Sequence, residues 1–358
     1  MQQSASSAET YSQEMDNQNT LKMREILEEL PRFCRQYFRG ISTTTGARTR
    51  LAYAYDLRVF FEFLHDHNSE LRDTDIPHFP LSILDQIQKE DIEEFVEWTT
   101  YYEKNGKIYT NDERGKARKL SAIRSMYHYF FQAELIEKDV SELVAMPKMH
   151  EKPIIRLEPD EVAKLMDLVE DGDGLTKSEL KYHEKTKVRD AAILTVLLGT
   201  GIRVSECVGL DLKDINFDEN GMKVHRKGGY DAIVYFGDEV EKALRDYLEQ
   251  RRQIIPQDGS ENALFLSMQN RRITVRAVEK LVKKYASRVT TLKKITPHKL
   301  RSTYGTSLYR ETGDIYLVAD VLGHKDVNTT RKHYAALEED RRRAAANVVK
   351  LREDDEED

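Results

Sequence analysis

Cysteine is nearly absent from this chain: Cys34 and Cys207 are its two thiols, far apart and in no CxxC spacing. That excludes a cysteine-rich zinc module and a disulfide framework, and it suits a reducing cytoplasm. Long apolar runs are missing too, since no stretch approaches the roughly 18 residues of a membrane span. The opening segment, 1–20, is polar and rich in Ser, Gln and Asn, without the apolar core of a signal peptide, and reads as a disordered lead-in. There is no Gly-x-x-x-x-Gly-Lys-Ser/Thr phosphate loop, which argues against ATP-driven chemistry. The Gly-Thr-Gly at 199–201 lacks the third glycine and the clear preceding strand of a dinucleotide fingerprint. No internal repeat is visible.

Net positive charge is the other absence. A formal charge of −7 and an isoelectric point near 5.9 do not advertise a nucleic-acid binder. The distribution says otherwise. Residues 353–358 are an unbroken acidic run, a solvated tail that need not touch DNA. Between Arg271 and Arg301, 11 Lys or Arg face a single acid, Glu279. A second basic group is Arg114, Lys116, Arg118, Lys119 and Arg124; a weaker third is Arg35, Arg39, Arg48, Arg50 and Arg58. One such run is ordinarily a solvated helix face. Three zones in an acidic protein imply a local positive field, as a DNA-facing cleft requires.

At 358 residues the chain exceeds one ordinary core and suits two domains; 39% hydrophobic and 33% charged residues fit a soluble globular protein. The first 150 residues read as helices: 21–38, 49–67 with aromatics every three or four positions, 89–103 opening on acids, and 116–133 with Leu120, Ile123, Met126 and Phe130 on one stripe. These aromatics read as core. Three prolines and no amphipathic period mark 145–161 as linker running into a fresh helix start at Asp160. The polar stretch 171–187 reads as a surface loop, 191–198 as a buried helix, and 221–226 with 231–236 as strands around a turn at Lys227-Gly228-Gly229-Tyr230. The remainder reads helical to about Lys350.

Several polar residues sit where structure alone does not ask for them. Arg203 follows a Thr-Gly turn inside an apolar segment, with Glu206 three residues on, on the same helix face. A structural ion pair accounts for that equally well. Pro297 suits a first helical turn and sets His298 and Arg301 at i and i+3. His324 follows Leu-Gly, and Tyr334 comes ten residues later. Taken singly, a satisfied histidine and a core tyrosine explain these.

In this order, though, Arg203, Lys227 on a hairpin turn, His298-x-x-Arg301, Leu-Gly-His324 and Tyr334 resemble the tyrosine recombinase/phage integrase family, in its Xer-like form, over roughly 157–350. Glu206 matches the acidic companion of the family's first arginine. Two positions depart from its pattern: the usual spacing from histidine to tyrosine is nine, where His333 stands here, and Ser302 follows Arg301 where many members have histidine. The resemblance implies a mainly α protein with a small β-sheet or hairpin, forming a two-domain DNA clamp. Its parts are a disordered 1–20, a helical core-binding domain at 21–144, a linker at 145–157, an α+β catalytic domain at 158–350 and an acidic tail at 351–358.

It also implies roles. Arg203 and Arg301 neutralise the pentacoordinate phosphate, Tyr334 attacks it, His298 accepts the phenol proton, His324 bonds the phosphate or the tyrosine, and Lys227 protonates the leaving 5′ oxygen; Glu206 orients Arg203. No cofactor or metal is expected, because two histidines without Cys or carboxylate partners make a poor zinc site. DNA contacts are expected from Arg48, Arg50, Arg114, Lys116, Arg118, Lys119, Arg124, Arg271, Arg272, Arg276, Lys280, Lys283, Lys284, Lys293 and Lys294. The partners implied are double-stranded DNA with paired recombination sites and, on synapsed DNA, a homotetramer joined through a C-terminal helix with Ala344, Ala345, Val348 and Val349 on its apolar face. The task is dimer resolution in chromosomes or plasmids, or integration and excision of a mobile element. A recombinase-fold protein that binds without cutting and a type IB topoisomerase are the rivals. The first would miss a catalytic residue; the second would relax supercoils without a defined site pair.

Overall fold

The computed structural model describes residues 10–150, 154–226, 229–324 and 327. The chain divides into two compact units between Lys152 and Pro153, inside the proline-rich segment expected as a linker. No helix among the described residues is long and apolar enough to cross a membrane.

The first unit holds α1 (Tyr11–Leu27), α2 (Cys34–Gly40), α3 (Ala47–His67), the short α4 (Ile83–Gln86), α5 (Lys89–Trp98), strands β1 (Tyr101–Lys104) and β2 (Lys107–Thr110), and α6 (Glu113–Gln132). Three expectations change here. Residues 11–20 are helical, not a disordered lead-in, because Thr10 and Gln13 close a capping box and Met23, Ile26 and Leu27 further along bury the helix. The helix expected over 21–38 is two helices with Pro31 in the break, where a missing N–H and a fixed φ stop propagation. The helix expected over 89–103 ends at Trp98 and gives way to a β-hairpin. Asn105 and Gly106, at φ 52 and φ 70, form its two-residue turn, and left-handed conformations at both positions match the strand twist. Leu57, Phe60 and Phe61 of α3 and Leu120, Ile123, Met126 and Phe130 of α6 are buried in one core cluster. Phe33 bridges Phe61 and Phe130 edge-on at 5.8 and 5.6 Å.

The second unit begins with α7 (Pro159–Asp171), which has proline in its first turn and a Glu158–Glu161 capping box. Next comes α8 (Lys177–Thr200), so the loop expected over 171–187 is largely helix. Its polarity hid it: the buried positions of its first turns include His183, Thr186 and Asp190, where Thr186 bonds Asp190 and the Tyr285 hydroxyl bonds both His183 Nδ1 and Asp190. The buried helix expected at 191–198 is the second half of the same element. After it come α9 (Val204–Gly209) and an antiparallel sheet in the order β3 (Ile215–Asn216), β4 (Gly221–Arg226), β5 (Tyr230–Tyr235). The expected hairpin is there, with Arg226 paired to Tyr230.

The expected run of helix to Lys350 is interrupted. After α10 (Asp238–Arg251), residues 252–274 are irregular, tied by single bridges from Asp211 to Ala263 and from Leu266 to Arg272. Pro256, Gly259 and clustered Asp, Asn and Ser favour turns there. Then follow α11 (Val275–Val289), α12 (Pro297–Thr312) and α13 (Ile315–Leu322). Lys227, Tyr334, the C-terminal helix and the acidic tail lie outside the described residues.

Candidate active site

Helix α8 ends on Gly201, which takes a left-handed conformation at φ 63. A side chain there would also collide with the Tyr304 ring, so two requirements select glycine. The chain then swings Arg203 into the N-cap position of α9. Glu206, the third residue of that helix, accepts from the Arg203 backbone N–H and from its Nη1, both at 2.7 Å. The Glu206 carboxylate is buried, while the guanidinium keeps about a third of its surface exposed, at 32%. This closed loop of bonds holds Arg203 in one orientation while part of its guanidinium stays exposed.

Arg301 reaches the same place from α12. It is buried; its Nη1 donates to the Gly201 carbonyl at 2.6 Å and its Nη2 to the Leu322 carbonyl. Arg203 Nη2 donates to the next carbonyl, Gly323, at 3.4 Å. The turn from Leu322 to His324 therefore gathers both arginines. Gly323 is left-handed at φ 62, and the His324 N–H closes the end of α13 on the Ala319 carbonyl at 2.9 Å. His298 is exposed in the first turn of α12, one turn ahead of Arg301. Thus Arg203, Glu206, Arg301 and the turn bearing His324 converge, although 120 residues separate Arg203 from Gly323.

One neighbour went unread in the sequence. Arg226, the last residue of β4, donates to the Asp320 and Val321 carbonyls of the same helix end. Its signal was available: an arginine at the inward register of an alternating strand, after Met222 and Val224. Cys207 also lies beside the site; burial pushes its thiol up to about 12, so it holds little thiolate.

The expected DNA-contact residues fall into two sets. Some are spent inside the fold. Lys119 is buried, with its Nζ at 3.0 Å from Asn111 and 3.5 Å from Asp56, and burial lowers its pKa. Arg124 donates to the Ser141 and Val144 carbonyls. Arg272 donates to the Val208 and Leu210 carbonyls and pairs with Asp211. Lys284 donates to the Tyr285 hydroxyl, and Lys293 pairs with Glu161 at 2.5 Å. Arg50 and Lys116 are half-buried. The other set faces outward: Arg48, Arg114, Lys280, Lys283 and Lys294, together with Arg118 beside Asp56, Arg271 beside Gln257 and Arg276 beside Glu279. Spacing along the sequence does not separate these sets, because long basic side chains cap carbonyls as readily as they face solvent.

Comparison with known proteins adds an independent line. The model of the phage integrase family matches residues 155–341. The tyrosine recombinase XerC of Caldanaerobacter subterraneus subsp. tengcongensis is 33% identical over 330 residues, covering 89% of this chain and 85% of that protein. The tyrosine recombinase XerD of Oceanobacillus iheyensis is 29% identical over 299 residues, covering 82% and 88%. In fold, the chain is similar to the XerH site-specific recombinase bound to a palindromic difH substrate in a post-cleavage complex. The TM-score is 0.65 at 18% identity, with 91% and 88% of the two chains covered. The chain belongs to the phage integrase family, as an enzyme of the Xer-like tyrosine recombinase type.

Proposed function

We propose that the protein cleaves and rejoins double-stranded DNA at paired sites through a 3′-phosphotyrosyl bond on Tyr334. The observation that carries this reading is the meeting of two guanidiniums, Arg203 and Arg301, on the adjoining carbonyls of Gly323 and Leu322. Two planar forks aimed at one spot suit the non-bridging oxygens of a single phosphate, where charge accumulates as phosphorus becomes five-coordinate. The phenol oxygen of Tyr334 bonds to phosphorus and its proton passes to His298. The bond from phosphorus to the 5′ oxygen breaks, and Lys227 protonates that oxygen. His324 bonds the phosphate or the tyrosine oxygen, and Glu206 keeps Arg203 in place. A 5′ hydroxyl from a second duplex then reverses the step, so the bond energy is conserved without nucleotide hydrolysis.

Exchange between two duplexes calls for four such sites, hence a homotetramer on synapsed DNA. Relatives named tyrosine recombinase XerC and XerD support site-specific recombination, and the task it serves is resolution of chromosome or plasmid dimers or integration and excision of a mobile element. The two free cysteines, both buried, suit the cytoplasm.

The test is covalent capture. Wild type and Tyr334→Phe are incubated in EDTA with nicked suicide duplexes carrying the flanking genomic DNA. The expected outcome is a detergent-stable protein–DNA adduct with wild type alone, its peptide mass mapping to Tyr334. An adduct that survives the substitution places the nucleophile elsewhere and overturns the reading.

A further inference from the structure

Strand β4 turns Met222, Val224 and Arg226 to the interior. The first two are ordinary core residues, whereas the third is a guanidinium only 8% exposed. Its Nη2 donates to the Val321 carbonyl at 2.9 Å and its Nη1 to the Asp320 carbonyl at 3.4 Å. Its Nε has no partner among the described residues. The guanidinium also fills the space beside Gly323, where an added Cβ would collide with it. Burying a charge this incompletely bonded costs stability, and an apolar residue in line with Met222 and Val224 would avoid that cost.

The backbone already closes two carbonyls at the end of α13, Gly323 N–H to Asp320 and His324 N–H to Ala319, at 2.8 and 2.9 Å, so Arg226 caps Val321 rather than the helix end as a whole. What Arg226 adds is a tie between two elements more than 90 residues apart in sequence. The residue after Arg226 is Lys227, and the residue after Gly323 is His324. The tie therefore joins the strand end that leads into the lysine to the turn that carries the histidine.

We infer that Arg226 is a positioning residue, fastening the β4 end to the 320–323 turn so that Lys227 and His324 address the same phosphate. The inference rests on the reading of Lys227 as the proton donor to the leaving 5′ oxygen. Arg226 itself touches neither substrate nor the reacting atoms.

A chemical substitution in the DNA separates this role from a general loss of structure. Single-turnover cleavage is measured on two suicide duplexes: one with the ordinary phosphodiester, the other with sulfur bridging phosphorus to the 5′ carbon. A thiolate leaves without being protonated, so a defect in proton delivery disappears on the second duplex. Lys227→Ala should cleave the ordinary duplex slower by about 100-fold or more and recover on the sulfur duplex. Arg226→Met should slow the ordinary duplex about 10- to 100-fold and recover in the same way. Arg226→Lys and Gly323→Ala, the second pushing a methyl group into the guanidinium, give the same readout should the methionine variant not fold. Equal slowing of the Arg226 variants on both duplexes, while Lys227→Ala recovers, would overturn the inference alone. If Lys227→Ala itself fails to recover, the donor reading falls and the inference with it.

Discussion

Single residues at the site are defined by how little freedom they retain. Arg203 is held by a carboxylate that accepts twice, and Arg301 by two carbonyls from different segments. Preorganised donors of this kind need not rearrange when charge develops on a ligand. The thiols show the opposite use of burial. Cys34 and Cys207 are fully enclosed, and desolvation raises both pKa values, that of Cys207 to about 12. A raised thiol pKa means the neutral form dominates at pH 8, and the neutral form is a poor nucleophile. Iodoacetamide at pH 8 should accordingly leave the folded protein unlabelled and recombination unaffected, while both thiols label in guanidinium chloride. Mass spectrometry reads the result, and stoichiometric labelling of the native chain would contradict the enclosed site.

Elements are decided largely at their ends. α8 runs to Lys177 because Thr176 and Glu179 close a capping box, to which Arg288 adds an ion pair from α11 at 2.6 Å. The Glu179 carboxyl is lowered from its ordinary 4.5 to about 2, first by the Thr176 backbone and hydroxyl bonds, then by Arg288. A depressed carboxyl pKa contributes stability above the unfolded value and loses it as pH falls towards the folded one. The unfolding temperature of wild type should therefore exceed that of Glu179→Gln near neutrality. The gap should close between pH 4.5 and about 2. A gap independent of pH would assign the effect to shape rather than charge. Two of the misread elements, α1 and the first half of α8, share one cause: each starts on a polar capping box and carries few apolar residues at first, so periodicity is weak where the helix begins.

On the scale of the whole molecule, a chain of net charge −7 must bind a polyanion through local fields. The outward basic side chains, such as Arg114 and Lys280, are the candidates for phosphate contact, while Arg272 is committed to the carbonyls of Val208 and Leu210. DNA-binding titrations at several salt concentrations distinguish the two classes. Arg114→Ala and Lys280→Ala should weaken binding across sequences and reduce the slope of log K against log salt by about 1 each. Arg272→Ala should instead lower the unfolding temperature and leave the slope of the folded fraction unchanged. An unchanged slope for both surface variants would move the DNA-facing surface elsewhere.

The ordered motif made most of the candidate site legible in the sequence. Arg203, Glu206, His298, Arg301 and His324 each needed only a type and a spacing to be noticed. The division into two units and the β4–β5 hairpin were legible for a similar reason: proline density and period-two alternation are local properties. What only the tertiary structure decided is which charges are spent on the fold. Lys119, Arg124 and Arg272 carry the same charge as their exposed neighbours, and their burial depends on carbonyls and carboxylates brought in by other segments. The role of Arg226 is of that kind as well. Its partners lie more than 90 residues away along the chain, and only the tertiary fold brings them within hydrogen-bonding reach.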